Sequence, residues 1–234
     1  MNFKIEPKIF EAFPELVLGV IVGSGLDNTG DNTEIPNLLR EVEAKVQEEF
    51  KQGEVGQDPR IVAWRQAYRK FGCDPHDYRS SVEALTKRVV RGDQLRHINK
   101  LVDLYNLISL EYVVPVGGED ISKIKGDVVL DFAKGNEAFI TLGENENDSP
   151  QPGEIVYKDN EGVLCRRWNW REGDRTKITE STKDVFMVIE GLPPIDRDLA
   201  QQATGSLAKL VEKYCGGKAI STVLDKKIQE FALT

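Results

Sequence analysis

Cysteine and histidine are scarce, and their scarcity removes several chemistries together. Cys73, Cys165 and Cys215 are odd in number and widely spaced, with no Cys-x-x-Cys pair, and the histidines are only His76 and His97. A structural zinc site needs more ligands at closer spacing, so no metal is expected. The cysteine usage points to a reducing, cytoplasmic compartment. No apolar run approaches the roughly 20 residues that span a bilayer, which argues against a membrane partner. Met1 to Glu6 lacks the charged start and apolar centre of a signal peptide. Gly23-Ser24-Gly25 is not followed by Gly-Lys-Ser or Gly-Lys-Thr, so the phosphate loop of a nucleotide enzyme is weakly signalled and no cofactor is expected. No repeat and no long flexible linker divides the chain.

What is present is an ordinary globular composition, 40% hydrophobic and 30% charged over 234 residues, with a net charge of −8. That acidity argues against a general nucleic-acid coat. The charge is uneven, however: Arg60 to Lys100 holds ten Lys or Arg against four Asp or Glu, a local +6, which leaves −14 for the rest. Such a segment forms either a salt-sensitive phosphate patch or a solvated helical face. Arg65 and Arg69 are the candidate RNA-backbone contacts.

In chain order, Leu16 to Val22 is a continuous apolar run that reads as a buried strand. Thr33 to Pro36 opens a helix with Leu38, Leu39, Val42, Val46 and Phe50 on one face, and Pro59 opens a second through Tyr68 to Gly72. Ser80 with Glu83 forms a capping box for a third, ending at Gly92. Leu101 to Leu110 is a fourth apolar segment that runs into Val113 to Gly118. From Gly126 the pattern becomes strand-like: Val128–Leu130, Ala138–Leu142, Glu154–Tyr157 and Val185–Ile189 are short strands, and Asp196 to about Tyr214 is a final helix. Helices mainly in the first half, packed on a mixed or antiparallel sheet from the second, make one α+β domain over residues 1–234.

The stretch from Gly162 to Val185 carries the densest chemistry. A strand reading of Arg166-Arg167-Trp168-Asn169-Trp170-Arg171 puts Arg167, Asn169 and Arg171 on one face and Arg166, Trp168 and Trp170 on the other. Guanidiniums beside indoles suit an anionic, planar ligand. The alternative is a surface hairpin whose tryptophans cover a core and whose arginines pair with the excess acid.

Leu101 to Glu111 through Pro115 and Asp120 resembles the editing module formed by the third and fourth structural domains of the phenylalanyl-tRNA synthetase beta subunit. The resemblance continues through Gly126 to Val129, Gly135-Asn136-Glu137 and Ile155 to Asp159. It closes at Glu180-Ser181-Thr182-Lys183-Asp184-Val185 and is strongest over residues 79–192. It implies a freestanding editing domain that hydrolyses the ester between a wrong amino acid and tRNA in a cleft. By that resemblance Asn106 and Glu180 are the catalytic candidates, Glu180 holding the substrate amine or the water. Tyr105, Gly117, Gly118, Arg167, Trp168, Asn169, Trp170, Arg171 and Thr176 are the substrate-binding candidates. Gly117 stands where the family carries a pocket histidine. Three functions follow as expectations: a trans-acting deacylase of mischarged aminoacyl-tRNA, a non-catalytic module that binds tRNA or an amino acid, or a small-molecule enzyme with an Arg-lined anion cleft.

Overall fold

The computed structural model describes residues 1–51 and 53–233. Its first strand, β1 (Asn2–Ile5), is followed by a short helix α1 (Pro7–Ala12) and then β2 (Val17–Ser24). Four helices come next: α2 (Glu34–Glu49), α3 (Pro59–Lys70), α4 (Ser81–Val90) and α5 (Lys100–Tyr112). Strands β3 (Val116–Asp120), β4 (Val128–Phe132), β5 (Ile155–Lys158), β6 (Val163–Arg166), β7 (Arg171–Glu172) and β8 (Val185–Gly191) then lead to the long helix α6 (Arg197–Cys215). The chain finishes with β9 (Lys218–Leu224) and β10 (Glu230–Ala232).

The strands form two sheets, one in the order β10-β1-β4-β5-β6-β7 and one in the order β3-β8-β2-β9. Every pairing is antiparallel except that of β1 with β4. The α+β architecture expected from the sequence is therefore present. Helices and both sheets share one large apolar cluster that runs from Phe3 to Leu233.

Local chemistry explains the helix boundaries. Asp58 accepts from the Arg60 amide ahead of Pro59, Asn99 caps α5 through the Val102 amide at 3.0 Å, and Asp196 caps α6 through the Leu199 amide at 2.9 Å. Ser80 accepts from the Glu83 amide, but the Glu83 carboxylate does not turn back to complete a capping box. It takes Arg65 and Lys87 instead. Strand β2 reads as unbroken apolar residues because both its faces are covered. On one of them α6 comes so close that a Cβ on Gly19 would meet Thr204 Oγ1 at 1.8 Å. Only glycine leaves room for that helix.

The structure departs from the sequence reading at the ends, at β3, between β6 and β7, and in one loop. Strands β1, β9 and β10 and helix α1 were not anticipated, since each is short or lies at a sheet margin with a weak pattern. Ala138–Leu142, expected as a strand, makes only isolated bridges through Ile140 and Thr141. There the Phe139 amide donates to the Asn147 side chain at 2.9 Å, which diverts it from a ladder.

Candidate functional site

The Arg-Arg-Trp-Asn-Trp-Arg stretch is not a straight strand. Strand β6 ends at Arg166, and Arg167 (φ 46°) and Trp168 (φ 66°) then adopt left-handed backbone before β7 begins at Arg171. Two consecutive non-glycine residues at positive φ are costly and persist only where surrounding contacts hold them. Trp168 supplies such contacts. It is wholly buried, with the Phe13 ring centroid at 4.9 Å and that of Trp64 at 5.0 Å. Arg166, also buried, binds Glu154 through two hydrogen bonds of 3.0 and 2.8 Å and donates to the Asp148 carbonyl at 2.7 Å. Arg167 lies 3.2 Å from the same carboxylate, and its guanidinium sits 3.7 Å from the Tyr78 ring centre and 4.5 Å from that of Trp170. Trp168 and Arg167, expected as substrate-binding residues, are occupied by these contacts, in line with the alternative of tryptophans over a core and arginines paired with acid. The signature builds a wall. Arg171 alone among these arginines is exposed, 5.2 Å above the Trp170 ring.

Behind that wall, where the two sheets meet, lies a cavity of about 30 Å³. Gly117, Gly118 and Glu119 of β3 form one side, Phe186, Val188 and Glu190 of β8 another, and Tyr157, Cys165, Trp168, Asn169 and Glu172 close it. Its polar content is acidic. Glu190 accepts hydrogen bonds from the Tyr157 hydroxyl and from Asn169 Nδ2, and Asn169 Oδ1 in turn accepts from Tyr68 at 2.9 Å. Glu119 and Glu172 each have a shielded Oε2 with no hydrogen-bond partner. A Cβ on Gly117 would lie 2.6 Å from Glu172 Oε1, so this glycine yields its side-chain space to a carboxylate.

Burial governs the protonation of all three acids. It pushes Glu190 up to about 7 against the hydrogen bonds from Tyr157 and Asn169. It also pushes Glu172 up to about 7, opposed by hydrogen bonding from Glu119 and Cys165. Glu119 is driven well above the usual carboxylate range by burial first and by the Glu172 charge second. A protonated carboxyl and a carboxylate that titrates near neutrality thus stand side by side. Burial first, and the charges of Glu172 and Glu119 after it, hold the Tyr105 hydroxyl above its usual range.

The other residues singled out in the sequence lie apart or play different parts. Thr176 is buried beside Glu119, and its hydroxyl makes no full hydrogen bond. Asn106 is half-buried on α5 and is not in the cavity wall. Glu180 is exposed on a turn, where its charge acts on His97, which contacts Asp103 at 2.6 Å and Asp31 at 3.4 Å. Neither Asn106 nor Glu180 lines the cavity between the sheets. Arg65 is corrected as a phosphate contact, because it is locked to the buried Glu83 by hydrogen bonds of 2.9 and 2.6 Å. Arg69 is exposed and forms no ion pair among the described residues. The described residues hold no group of three or more His, Cys, Asp or Glu placed to bind a metal ion. Sequence reasoning missed Glu119, Glu172 and Glu190. The available signal was an acid at the end of an apolar strand, most plainly Glu190 after Val185 to Ile189.

The family model of the B3/4 domain matches residues 63–216. The chain belongs to the B3/4 domain family. This B3/4 chain is 24% identical over 167 residues to the phenylalanine–tRNA ligase beta subunit of Fusobacterium nucleatum, an alignment covering 62% of this chain and 21% of that protein. It is 35% identical over 98 residues to the protein of the same name from Ruegeria pomeroyi, covering 42% of this chain and 12% of that one. The Nocardia farcinica protein of that name is 29% identical over 167 residues, covering 71% and 19%. The chain thus spans about a fifth or less of the length of these relatives. The crystal structure of an N-terminal fragment of the phenylalanyl-tRNA synthetase beta-subunit from Pyrococcus horikoshii is 15% identical, with 94% of this chain and 53% of that one aligned at a TM-score of 0.48. No helix among the described residues is long and apolar enough to cross a membrane.

Proposed function

We propose that this B3/4 chain hydrolyses the ester bond of mischarged aminoacyl-tRNA, with the acid-lined cavity between the sheets as the reaction centre. One observation carries the reading: Glu172, titrating near 7, lies against Gly117, the position where the family resemblance sets its pocket. Hydrolysis of an activated ester needs a positioned water, a base for its proton and a donor for the developing oxyanion. Ionised Glu172 is suited to take the proton, because a base works best when its pKa is near the working pH. Glu119, kept protonated, is a donor that stays neutral at pH 7, as buried carboxylic acids in other enzymes do. The proton removed from water returns to the ribose oxygen as it leaves. In this reading Glu180 and Asn106 lie outside the reacting centre, and Arg69 and Arg171 remain free for phosphate.

The B3/4 name of the family and the tRNA-ligase names of the relatives support the substrate class. A binding module without chemistry is the second reading, favoured by Gly117 in the histidine's place. The Arg-lined anion cleft receives no support, because Arg166 and Arg167 are consumed by Glu154. The test is incubation of the purified chain with a panel of mischarged tRNAs while the aminoacyl label is followed. Turnover supports the deacylase. Retention of label on bound tRNA supports the binder and rejects the hydrolytic reading.

A further inference from the structure

Among the described residues one sheet edge is both long and open. Strand β7 has two residues and β10 three, and on the outer side of β3 the Asp120 amide donates to the Thr176 carbonyl at 2.8 Å. Strand β9 runs for seven residues at the margin of the four-stranded sheet and pairs there with β2 alone. Residues 219–224 carry no charge, proline or bulge, the devices that blunt an open edge. Ile220 stands in that stretch 57% exposed, whereas Val223 and Leu224 are wholly buried, so the open length is residues 218–222.

One contact decides which backbone groups face outward. The Ala219 amide donates to Glu212 Oε1 at 3.0 Å and is therefore turned away from β2. In an antiparallel pair the N–H and C=O of one residue point to the same side, and neighbours alternate. With its unbroken register to β2, the strand thus turns the groups of Ala219 and Ser221 outward and those of Ile220 and Thr222 inward. Against an added strand Ile220 holds the non-hydrogen-bonded position, where opposed side chains come closest. Gly19, packed under α6, pairs with Val223, so Ile220 turns its side chain to the sheet face away from that helix.

We infer that β9 is the contact between two copies of this chain, paired antiparallel about a two-fold axis through Ile220, so that their four-stranded sheets join into one. In this register Ile220 meets Ile220 of the second copy, and the Ser221 amide of each copy donates to the Ala219 carbonyl of the other. An axis through Ala219 or Ser221 would set Ile220 against Lys218 or Thr222 and leave it without an apolar partner. The occupant is a second copy because the edge is also complementary to itself in charge. Leu224 falls opposite Gly216, which brings the exposed Lys226-Lys227 turn of one copy to the C-terminal end of α6 in the other. Both lysines lack an ion pair among the described residues, and the helix end carries the exposed Glu212 and the negative pole of the helix. A contact this short lies at the small end of protein interfaces, below about 1,200 Å², so the dimer is weak and reversible.

The test is sedimentation velocity of the full chain from micromolar to near-millimolar concentration, with the melting temperature read on each variant. The expected result is a reversible monomer–dimer equilibrium that weakens as salt rises. Ile220→Lys opposes like charges across the axis and is expected to weaken the dimer by about tenfold or more. Its melting temperature at low concentration should be unchanged, since the side chain is exposed. Register is read separately by Ile220→Cys and Thr222→Cys under oxidised glutathione, the native Cys73, Cys165 and Cys215 being buried. Ile220→Cys is expected to form a disulfide between copies and Thr222→Cys is not, because a residue on the axis lies within disulfide reach of itself and Thr222 faces Lys218. A chain that stays monomeric at every concentration, or a dimer that Ile220→Lys leaves intact, overturns the inference. Equal cross-linking at the two positions also overturns it. So does capture of an extended peptide by a chain that never dimerises, which would give the edge to another protein.

Discussion

Replacing Glu190 by glutamine isolates the energetic consequence of a buried acid. In the folded chain Glu190 is 2% exposed and its pKa is pushed up to about 7 from the ordinary 4.5. Between those values the unfolded chain has released a proton that the folded chain still holds, so stability falls as pH rises through this window. The stability associated with the protonated acid is complete below pH 4.5 and is lost as pH passes about 7. The rise from 4.5 to about 7, at 1.36 kcal/mol per pH unit, gives about 3 kcal/mol. Glutamine keeps the size, accepts from Asn169 and donates to the Tyr157 hydroxyl, which can turn to receive it. Glu190→Gln should therefore match the wild type near pH 4.5 and exceed it by about 3 kcal/mol at pH 8. For a chain of this size that is roughly 6–12 °C in melting temperature. Urea titrations at pH 4.5, 6 and 8 with a common slope measure the difference. A gap that does not change with pH, or a variant less stable than the wild type at pH 8, refutes the assignment of Glu190 as a buried, proton-holding acid.

Other expectations test separate parts of the account. Gly19→Ala drives a methyl into Thr204 and should destabilise the fold by roughly 1–3 kcal/mol, as overpacking does; chemical denaturation reads it, and an unchanged midpoint would mean that α6 does not sit where the structure has it. Trp168→Ala empties the aromatic cluster beneath the left-handed turn and should cost about 3–5 kcal/mol. Arg166→Ala leaves Glu154 buried against one remaining arginine and should cost a similar ~3–5 kcal/mol in the same assay, whereas a surface pair would cost under about 1 kcal/mol. If tRNA binds, Arg69→Ala should weaken it and reduce its salt dependence, while Arg65→Ala should lower stability through Glu83 and leave affinity alone.

Periodicity made the helices legible because each buries an apolar stripe between recognisable stops: Asp58 with Pro59 at the start of α3, and Gly216 after α6. The core strands β2 and β8 were legible as apolar runs for the same reason. Short strands at the sheet margins were not, since β9 exposes much of its length and β1 has only four residues to show an alternation. In the site, Gly117 and Gly118 were marked by the resemblance. The acids facing them were hidden, because Glu119, Glu172 and Glu190 come from three strands far apart in sequence, and one-dimensional spacing carries no information on such convergence. The signature of arginines and tryptophans left two readings open for a related reason. Exposed, those side chains suit a nucleotide, and buried, they form an ion-pair and aromatic wall; left-handed backbone at Arg167 and Trp168 decides for the wall. Local pattern alone does not foretell that turn.

We place ester hydrolysis at the acids between the sheets and not on the exposed turn. This placement is tested most directly by comparing single-turnover deacylation of one responsive mischarged tRNA by wild type, Glu172→Gln and Glu180→Gln. Loss of a general base lowers the rate by about 10²–10⁴-fold. That loss is expected for Glu172→Gln, with a near wild-type rate for Glu180→Gln and a wild-type rate that rises with pH through about 7 as Glu172 ionises. A wild-type rate in Glu172→Gln together with a large loss in Glu180→Gln would contradict it and place the chemistry on the turn beside His97.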